Sequence, residues 1–228
     1  MDEQARKPYL NLGCGKVILP APRPEHHALI PPELYDYEDW CNIDRSPDVG
    51  ADVVMDLFKY PWALPSDSYD GALLSHIVEH IPHEIKADDS PRGRELAALP
   101  DGFYAFFSEL YRVLRDKAKV YILCPYALSL GALQDPTHMR YIVAPSFAYL
   151  EPNPKAPFAT DYGCKYVGVQ LAWNLSKLGE EIVQMAVSRM PEPCTPSEAF
   201  WNTDLKESMQ TMWGCINEIA VQVEVAKS

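Results

Sequence analysis

The stretch Tyr9-Leu10-Asn11-Leu12-Gly13-Cys14-Gly15-Lys16 decides the fold class of this chain. Its first four residues are mostly apolar, which is typical of a buried strand, and they run directly into a Gly-x-Gly turn. Glycine lets the backbone turn sharply and approach a ligand closely. In open α/β sheets such a turn follows the carboxyl end of a strand, where nucleotide-like ligands bind. Neither a third glycine nor Gly-Lys-Ser/Thr follows, so we do not expect a pyrophosphate cradle.

Three further strand-like segments come next, and two of them end on carboxylates. Trp40–Ile43 leads into Asp44, Ala51–Leu57 carries Asp56 near its end, and Tyr69–Ser75 is an apolar run. A carboxylate at the end of a strand can accept hydrogen bonds from both hydroxyls of a ribose. Together with the glycine turn, this order of signals predicts a nucleoside site on a parallel sheet.

The second half of the chain is expected to complete an α/β fold. Apolar residues at three-and-four spacing predict a helix over Phe103–Leu114, and Lys119–Cys124 is typical of a strand. Helical spacing also predicts a helix over Leu171–Met190. The capping box that opens at Thr195 predicts another helix, ending near Met212. Alternating valines predict a final strand over Ile219–Val225.

Two segments are expected to be irregular. Residues 20–32 contain five prolines, which exclude a helix interior, so a first helix would be short or displaced toward Glu33–Asp39. We interpret this loop as a surface insertion rather than a lid over substrate. Glu84–Pro100 is polar and contains prolines and a glycine, which predicts a mobile excursion.

Composition indicates a soluble globular protein. The chain has 228 residues, 47% of them hydrophobic and 23% charged, which fits a single domain. No apolar run is long enough to cross a bilayer, and the first residues lack the order of a signal peptide, so we expect a cytoplasmic protein. Six scattered cysteines without a C-x-x-C pair favour reduced thiols. A net charge of −12 disfavours a nucleic-acid substrate.

Several short motifs, in order, resemble the class I S-adenosylmethionine (SAM)-dependent methyltransferases, in particular their type 11-like branch of bacteria and phages. The matching residues are Leu10–Gly15, Asn42–Asp44, Asp56-Leu57, Ser68–Asp70, Ser75–Ile81 and Glu109–Leu114. The resemblance implies a Rossmann-like α/β fold with a mostly parallel sheet, an antiparallel C-terminal strand and helices on both faces. It also implies one domain over residues 1–228, with a variable substrate-side region at about 126–215.

The same resemblance implies SAM as cofactor and S-adenosylhomocysteine as product. The residues assigned to the cofactor are Asn11, Gly13, Cys14, Gly15, Asp44, Asp56, Leu57, Ser75 and His76. Asn11 stands where related enzymes often have an acidic residue. Its amide can hold the glycine loop or accept from the cofactor's amino group.

Asp135–Tyr141 resembles a segment that similar methyltransferases place over the acceptor. Methyl transfer needs a positioned nucleophile and, where that nucleophile carries a proton, a base. Histidine suits this task because its pKa lies near neutrality, so His138 is the first candidate for a catalytic base and His80 the second. Tyr126 and Asp135 are assigned to acceptor binding. The alternative, in which Asp135 and His138 only fasten the loop, stays open.

Two other functions compete with methyl transfer. His76-Ile77-Val78-Glu79-His80 matches the H-x-x-E-H pattern of a class of zinc metallopeptidases. That pattern needs a long amphipathic helix, whereas here a strand precedes it and Pro82 follows, so we predict no metal site. The other competitor is a SAM-binding module without activity. For an active enzyme, we expect a small molecule or a protein side chain as acceptor, no membrane partner and no specified oligomeric state.

Overall fold

A seven-stranded sheet forms the centre of the structure, a computed structural model that describes residues 8–22, 30–150, 164–189, 195–201 and 203–227. Its strands are β1 (Tyr9–Leu12), β2 (Trp40–Asp44), β3 (Val53–Val54), β5 (Tyr69–Ser75), β7 (Leu114–Pro125), β8 (Tyr166–Leu175) and β9 (Ile216–Val225). A separate two-stranded sheet pairs β4 (Lys59–Tyr60) with β6 (Lys86–Ala87).

The order of strands across the main sheet is β3-β2-β1-β5-β7-β9-β8. All pairs from β3 to β7 are parallel, and β9 runs antiparallel to both of its neighbours. The chain order therefore reverses at β1, which lies between β2 and β5. The predicted Rossmann-like sheet with an antiparallel C-terminal strand is confirmed. Ligands of such sheets bind outside the carboxyl ends of the strands at this reversal.

Six α-helices and four short 3-10 helices surround the sheet in the described part of the chain. The α-helices are α1 (Pro91–Ala97), α2 (Gly102–Val113), α3 (Leu130–Gln134), α4 (Lys177–Val187), α5 (Pro196–Trp201) and α6 (Thr203–Thr211). The 3-10 helices span Pro32–Asp36, Pro47–Val49, Val78–His80 and Ala144–Leu150. None of the helices in the described ranges is long and apolar enough for a membrane span.

The two faces of the sheet bury different groups of side chains. On β7, Val120 and Ile122 belong to the larger core, which includes Phe106 and Phe107 of α2. Strand alternation turns Leu123 to the opposite face, where it joins the smaller core. Both faces of the central strands are therefore buried, as expected for a parallel sheet.

The smaller core shows what replaces a first α-helix. Leu34 of the 3-10 helix Pro32–Asp36 packs there with Leu19 and Ile30. A first helix was predicted to be short or displaced toward Glu33–Asp39. The structure has a 3-10 helix there, which begins at Pro32. Residues 20–22 and 30–31 form no helix, as predicted for the proline-rich loop, and residues 23–29 lie outside the described ranges.

The helix predicted over Leu171–Met190 is wrong in its first part. Residues up to Leu175 belong to β8, which pairs with β9, and only Lys177–Val187 is helical. Helical spacing and strand alternation coincide over so few residues, since Leu171 and Leu175 satisfy both periods. Pairing with β9 decides the outcome. Met190 lies outside the described ranges.

Two other expectations also need correction. Glu84–Pro100 is not wholly irregular, because it contains β6 and α1. The Ser90 hydroxyl accepts a hydrogen bond from the Gly93 N–H at 3.0 Å, and a proline at the first helical position follows this cap. The predicted strand over Ala51–Leu57 shrinks to β3, which has only two residues.

The capping box at Thr195 forms as predicted. Glu198 accepts from the Thr195 N–H at 2.7 Å, and the Thr195 hydroxyl accepts from the Glu198 N–H at 3.2 Å. The single helix predicted after it is described as α5 and α6, with residue 202 between them outside the described ranges.

Candidate functional site

A cavity of about 480 Å³ lies beyond the carboxyl ends of the strands where their order reverses. The glycine turn and the segments that follow β2, β3 and β5 all contribute residues to its lining. The residues from the predicted cofactor set that line it are Gly13, Asp44, Asp56, Leu57 and His76. These residues lie far apart in sequence, and the parallel strands bring them together at one edge of the sheet.

The glycine turn after β1 requires glycine at its first position. Gly13 has φ +66°, and a Cβ built on it would lie 2.5 Å from Cδ1 of Ile77. Gly15 has φ +51°, and no described atom outside Gly15 and its two chain neighbours lies within 4 Å of the position its Cβ would take. The turn is thus closely packed against Ile77 at Gly13 and open at Gly15, which leaves room for a ligand beside the backbone.

Asp44 joins the glycine turn to the end of β2. Its carboxylate accepts hydrogen bonds from the Gly15 N–H at 2.9 Å and from the Ser46 N–H at 2.8 Å. An ionised carboxylate has about four acceptor positions. Two contacts therefore leave it able to accept further hydrogen bonds from the cavity, as binding to two ribose hydroxyls requires.

Asn11 lies beneath the turn rather than on the cavity wall. It is 3% exposed, and its amide nitrogen donates to the Val17 carbonyl at 2.8 Å and to the Asn42 side chain at 2.9 Å. Asn42 in turn accepts from the Leu19 N–H at 2.8 Å. Of the two roles open to Asn11 from the sequence, these contacts correspond to holding the loop.

Asp56 and Leu57 form the wall after β3. Asp56 accepts from the Phe58 N–H at 3.0 Å and lies 3.7 Å from the Lys59 ammonium. The carbonyl of Leu57 accepts from the indole of Trp62 at 2.9 Å, which fixes this segment against the core. Phe58 and Met55 also line the cavity and supply an apolar surface that the sequence motifs did not predict.

His76 occupies a strained position directly after β5. It has φ +55°, a region that residues with a side chain seldom adopt. Its Nδ1 lies 3.3 Å from Glu79 and its Nε2 lies 3.1 Å from Glu218. Burial alone would lower the pKa of His76, but Glu218 and Glu79 outweigh it and raise that pKa to about 9. Glu218 lies in β9, and no local pattern in the sequence pointed to it.

A second cavity of about 460 Å³ adjoins the first and shares His76 and His80 with it. His138 and Asp135 line this second cavity. The rings of His80 and His138 pack edge to face with centroids 4.7 Å apart. The structure therefore brings both predicted base candidates together, at the junction of the two cavities.

Hydrogen bonds fix the orientation of both histidine rings. His138 Nδ1 lies 2.9 Å from the Ala132 carbonyl, and His80 Nδ1 lies 3.2 Å from the Thr137 carbonyl. A carbonyl only accepts, so each Nδ1 carries a proton, and in the neutral imidazole Nε2 then has the lone pair. Asp135 Oδ2 lies 3.9 Å from His138 Nε2, and its Oδ1 accepts from the Thr137 N–H at 2.8 Å. These contacts also fasten the loop.

Besides Asn11 and Gly15, three predicted site residues are not among those that line either cavity. Cys14 is buried, and burial followed by the Asp44 charge raises the pKa of its thiol to about 11. Ser75 ends β5 opposite Leu123. Tyr126 is 3% exposed and donates its hydroxyl to the Gln210 carbonyl at 2.9 Å.

The H-x-x-E-H segment does not form the helix that a metallopeptidase requires. Only Val78–His80 is helical, as a single 3-10 turn. His76 instead belongs to the strand end and contacts Glu218. His76 and His80 therefore do not share one face of an α-helix, which the peptidase pattern needs.

The groups that line the first cavity match the chemical groups of SAM. Asp44 has free acceptor positions for a ribose, the turn at Gly15 is open, and Leu57 with Phe58 offers an apolar wall for an adenine ring. The negative charges of Asp44 and Asp56 also suit a cationic ligand. The predicted cofactor residues that line this cavity therefore satisfy the chemistry of the group that the fold implies.

Solved structures with a similar fold include SAM-dependent methyltransferases. One from Archaeoglobus fulgidus has a TM-score of 0.54 and 17% identity, covering 97% of this chain and 87% of its own. Haemonchus contortus phosphoethanolamine N-methyltransferase 2, solved with SAM, has a TM-score of 0.48 and 12% identity, covering 96% of this chain and 48% of its own. A putative methyltransferase from Bacillus halodurans has a TM-score of 0.48 and 11% identity, covering 96% and 92%.

No protein-family model matches the sequence, and no curated protein matches it. At 17% identity, the similarity to the Archaeoglobus structure establishes the fold. The chain therefore has the mixed α/β, Rossmann-like fold of the methyltransferases.

Proposed function

We propose that this protein is a SAM-dependent methyltransferase that acts on a small-molecule acceptor. The observation that carries the proposal is the arrangement of Gly13, Asp44 and Asp56 on one cavity at the reversal of strand order. Ligand sites of doubly wound sheets lie at this place. The motifs also support membership of the type 11-like branch found in bacteria and phages.

The residues of the first cavity would hold the cofactor. Asp44 would accept hydrogen bonds from the ribose, Asp56 would accept from the adenine amino group, and the backbone at Gly13 and Gly15 would pass close to the methionyl part. His76, at the end of β5, would lie beside that part. When bound, SAM supplies an electrophilic methyl group on a sulfonium centre.

The second cavity is the proposed acceptor side. Polar residues, among them Asn174, Asn217 and Glu218, line its 460 Å³, a volume within the range of small-molecule sites. His138 Nε2 has a lone pair because its Nδ1 proton is donated to Ala132. His138 would therefore accept a proton from the acceptor, with His80 as the neighbouring second base. The acidic chain favours a small molecule over nucleic acid.

Calorimetric titration with S-adenosylhomocysteine tests the cofactor site. The unaltered chain should bind it, and Asp44→Ala should weaken binding by about 1.5–3 kcal/mol, the loss expected for hydrogen bonds to a charged group. The matched control is Asp48→Ala, because Asp48 is an exposed carboxylate four residues further along that is not among the cavity residues. Equal affinity in the Asp44 variant, or no binding by the unaltered chain, would refute the assignment.

Transfer of a labelled methyl group to a metabolite extract tests the activity. Once an acceptor is found, His138→Ala should reduce transfer by about 10²–10⁴-fold while affinity for S-adenosylhomocysteine is retained. Loss of both methyl transfer and S-adenosylhomocysteine binding would show that His138 only holds the loop in place. Full activity would move the role of base to His80.

A further inference from the structure

A cluster of Glu79, His80 and His138 forms where the two cavities meet. Glu79 and His80 belong to the 3-10 turn after β5, and His138 belongs to the loop after α3. One ligand-type atom from each residue lies within 4.8 Å of the other two. Sequence motifs do not predict this set, because it combines only part of the H-x-x-E-H pattern with a residue 58 positions further along than His80.

Backbone contacts hold the two segments of the cluster together. The Glu79 carbonyl accepts from the N–H groups of Met139 and Arg140 at 2.8 and 3.0 Å. The Arg140 guanidinium then donates to the carbonyls of Ile81 and Pro82 at 2.8 and 3.0 Å. The three side chains are thus brought together by a rigid connection beside the site rather than by chance contact of loose loops.

Both histidines are oriented in the way that metal-binding histidines are. His138 donates its Nδ1 proton to Ala132, and His80 donates its own to Thr137. The Thr137 hydroxyl cannot supply that proton instead, because it donates to Asp135 at 2.7 Å. A backbone carbonyl on one ring nitrogen fixes the tautomer and leaves the other nitrogen as a ligand, a pattern common around bound metal ions.

Glu79 provides the independent observation that points to a cation. Its side chain is buried, with the residue only 1% exposed, and neither carboxylate oxygen has a hydrogen bond from the described residues. His76 Nδ1 lies 3.3 Å from Glu79 Oε1 and compensates part of this charge, but His76 is shared with Glu218. A buried carboxylate is costly unless charge or hydrogen bonds compensate it. A bound cation would complete the compensation that the shared His76 gives only in part.

We propose that Glu79, His80 and His138 bind a divalent transition-metal ion of the zinc class. Two imidazoles and one carboxylate suit zinc, cobalt or nickel, whereas magnesium and calcium prefer oxygen ligands. Three ligand atoms about 2.1 Å from one ion lie about 3.4 Å apart in the tetrahedral geometry that zinc prefers. The ligand atoms of the cluster lie within 4.8 Å of one another, so side-chain rotations that close these distances by at most about 1.4 Å would form a coordination sphere.

Three protein ligands leave coordination positions open, as in catalytic zinc sites. His80 lines both cavities, so these positions lie at their junction. An acceptor oxygen or nitrogen bound there would lose its proton more readily, and the metal would take over that task from a histidine base. This last role rests on the proposed methyl transfer, whereas metal binding does not. The ligand set also differs from the peptidase pattern, because His76 is not part of it.

The test measures zinc binding by the full chain. Metal ions already bound are first removed with a chelator, and the chain then competes for Zn²⁺ with a chromophoric chelator. One equivalent of Zn²⁺ should bind. Glu79→Gln and His138→Gln should each weaken binding by about 100-fold or more, beyond the 10–100-fold typical of residues that only support a ligand. His83→Gln is the matched control, because His83 is an exposed histidine paired with Asp101 outside the cluster.

Two further measurements distinguish zinc binding at the cluster from binding to other side chains and from misfolding of a variant. Co²⁺ bound at the cluster should show d–d absorption without a thiolate charge-transfer band, which excludes the cysteines as ligands. Zn²⁺ should raise the unfolding temperature of the unaltered chain and of His83→Gln, but not of Glu79→Gln. Absence of stoichiometric binding, or equal binding by Glu79→Gln and His138→Gln, would overturn the proposal. Titration of the metal-free chain with S-adenosylhomocysteine tests the proposed function separately.

Discussion

Replacing Gly13 by alanine tests how closely the glycine turn is fitted to the cavity wall. The residue has φ +66°, and the new Cβ would lie 2.5 Å from Cδ1 of Ile77 and 3.0 Å from its Cγ1. Two costs therefore add. An alanine at positive φ costs about 1–2 kcal/mol, and moving the Ile77 side chain off its rotamer costs about 0.5–1.5 kcal/mol.

Gly50→Ala separates these two costs. Gly50 also has positive φ, at +80°, but no described atom outside Gly50 and its two chain neighbours lies within 4 Å of the position of its Cβ. The Gly50→Ala variant should therefore lose only the free energy that an alanine at positive φ costs. In urea unfolding, we expect Gly13→Ala to lose about 0.5–1.5 kcal/mol more than Gly50→Ala, the cost of the displaced rotamer.

Ligand binding should distinguish the two variants further. Gly13 and Ile77 both line the first cavity, whereas Gly50 does not. Displacement of Ile77 changes the shape of that wall, so Gly13→Ala should bind S-adenosylhomocysteine about tenfold more weakly, or about 1.4 kcal/mol. Gly50→Ala should bind as the unaltered chain does. Equal unfolding free energies together with unchanged binding in Gly13→Ala would refute the reasoning.

Two further predictions concern stability. Glu109 is fully buried and accepts from Arg92 at 2.9 Å and from Arg112 at 2.8 Å. Glu109→Gln should therefore lower the free energy of unfolding in urea by about 3–5 kcal/mol, and a loss below about 1 kcal/mol would contradict this. Burial alone would raise the pKa of Glu109, but Arg112 and its other partners outweigh it and lower that pKa. The contribution of Glu109 to stability is therefore complete above the ordinary carboxyl pKa and is lost as the pH falls through the lowered pKa. This part of the acid dependence of stability should be absent in Glu109→Gln. Tyr166→Phe removes a 2.7 Å hydrogen bond to the Phe107 carbonyl and should cost about 1 kcal/mol, which thermal unfolding would detect as a lower Tm.

The sequence by itself determined the elements that local pattern specifies. Tyr9–Leu12 and Tyr69–Ser75 are strands at the predicted bounds, and Gly102–Val113 is the predicted helix. Continuous apolar runs mark strands that are buried on both faces, and three-and-four spacing marks one face of a helix. The order of these elements, with glycine and carboxylates after the strands, was sufficient to predict the sheet and the position of its cavity.

Only the tertiary structure decided the segments whose partners lie far away in the chain. Leu171–Leu175 fits both a helical and a strand period, and pairing with β9 makes it a strand. The contact of His76 with Glu218 and that of His80 with His138 join residues 142 and 58 positions apart. Sequence periodicity reports the environment along one element, whereas such contacts depend on how several elements pack together. The cavity could therefore be predicted from its motifs, but the cluster of Glu79, His80 and His138 could not.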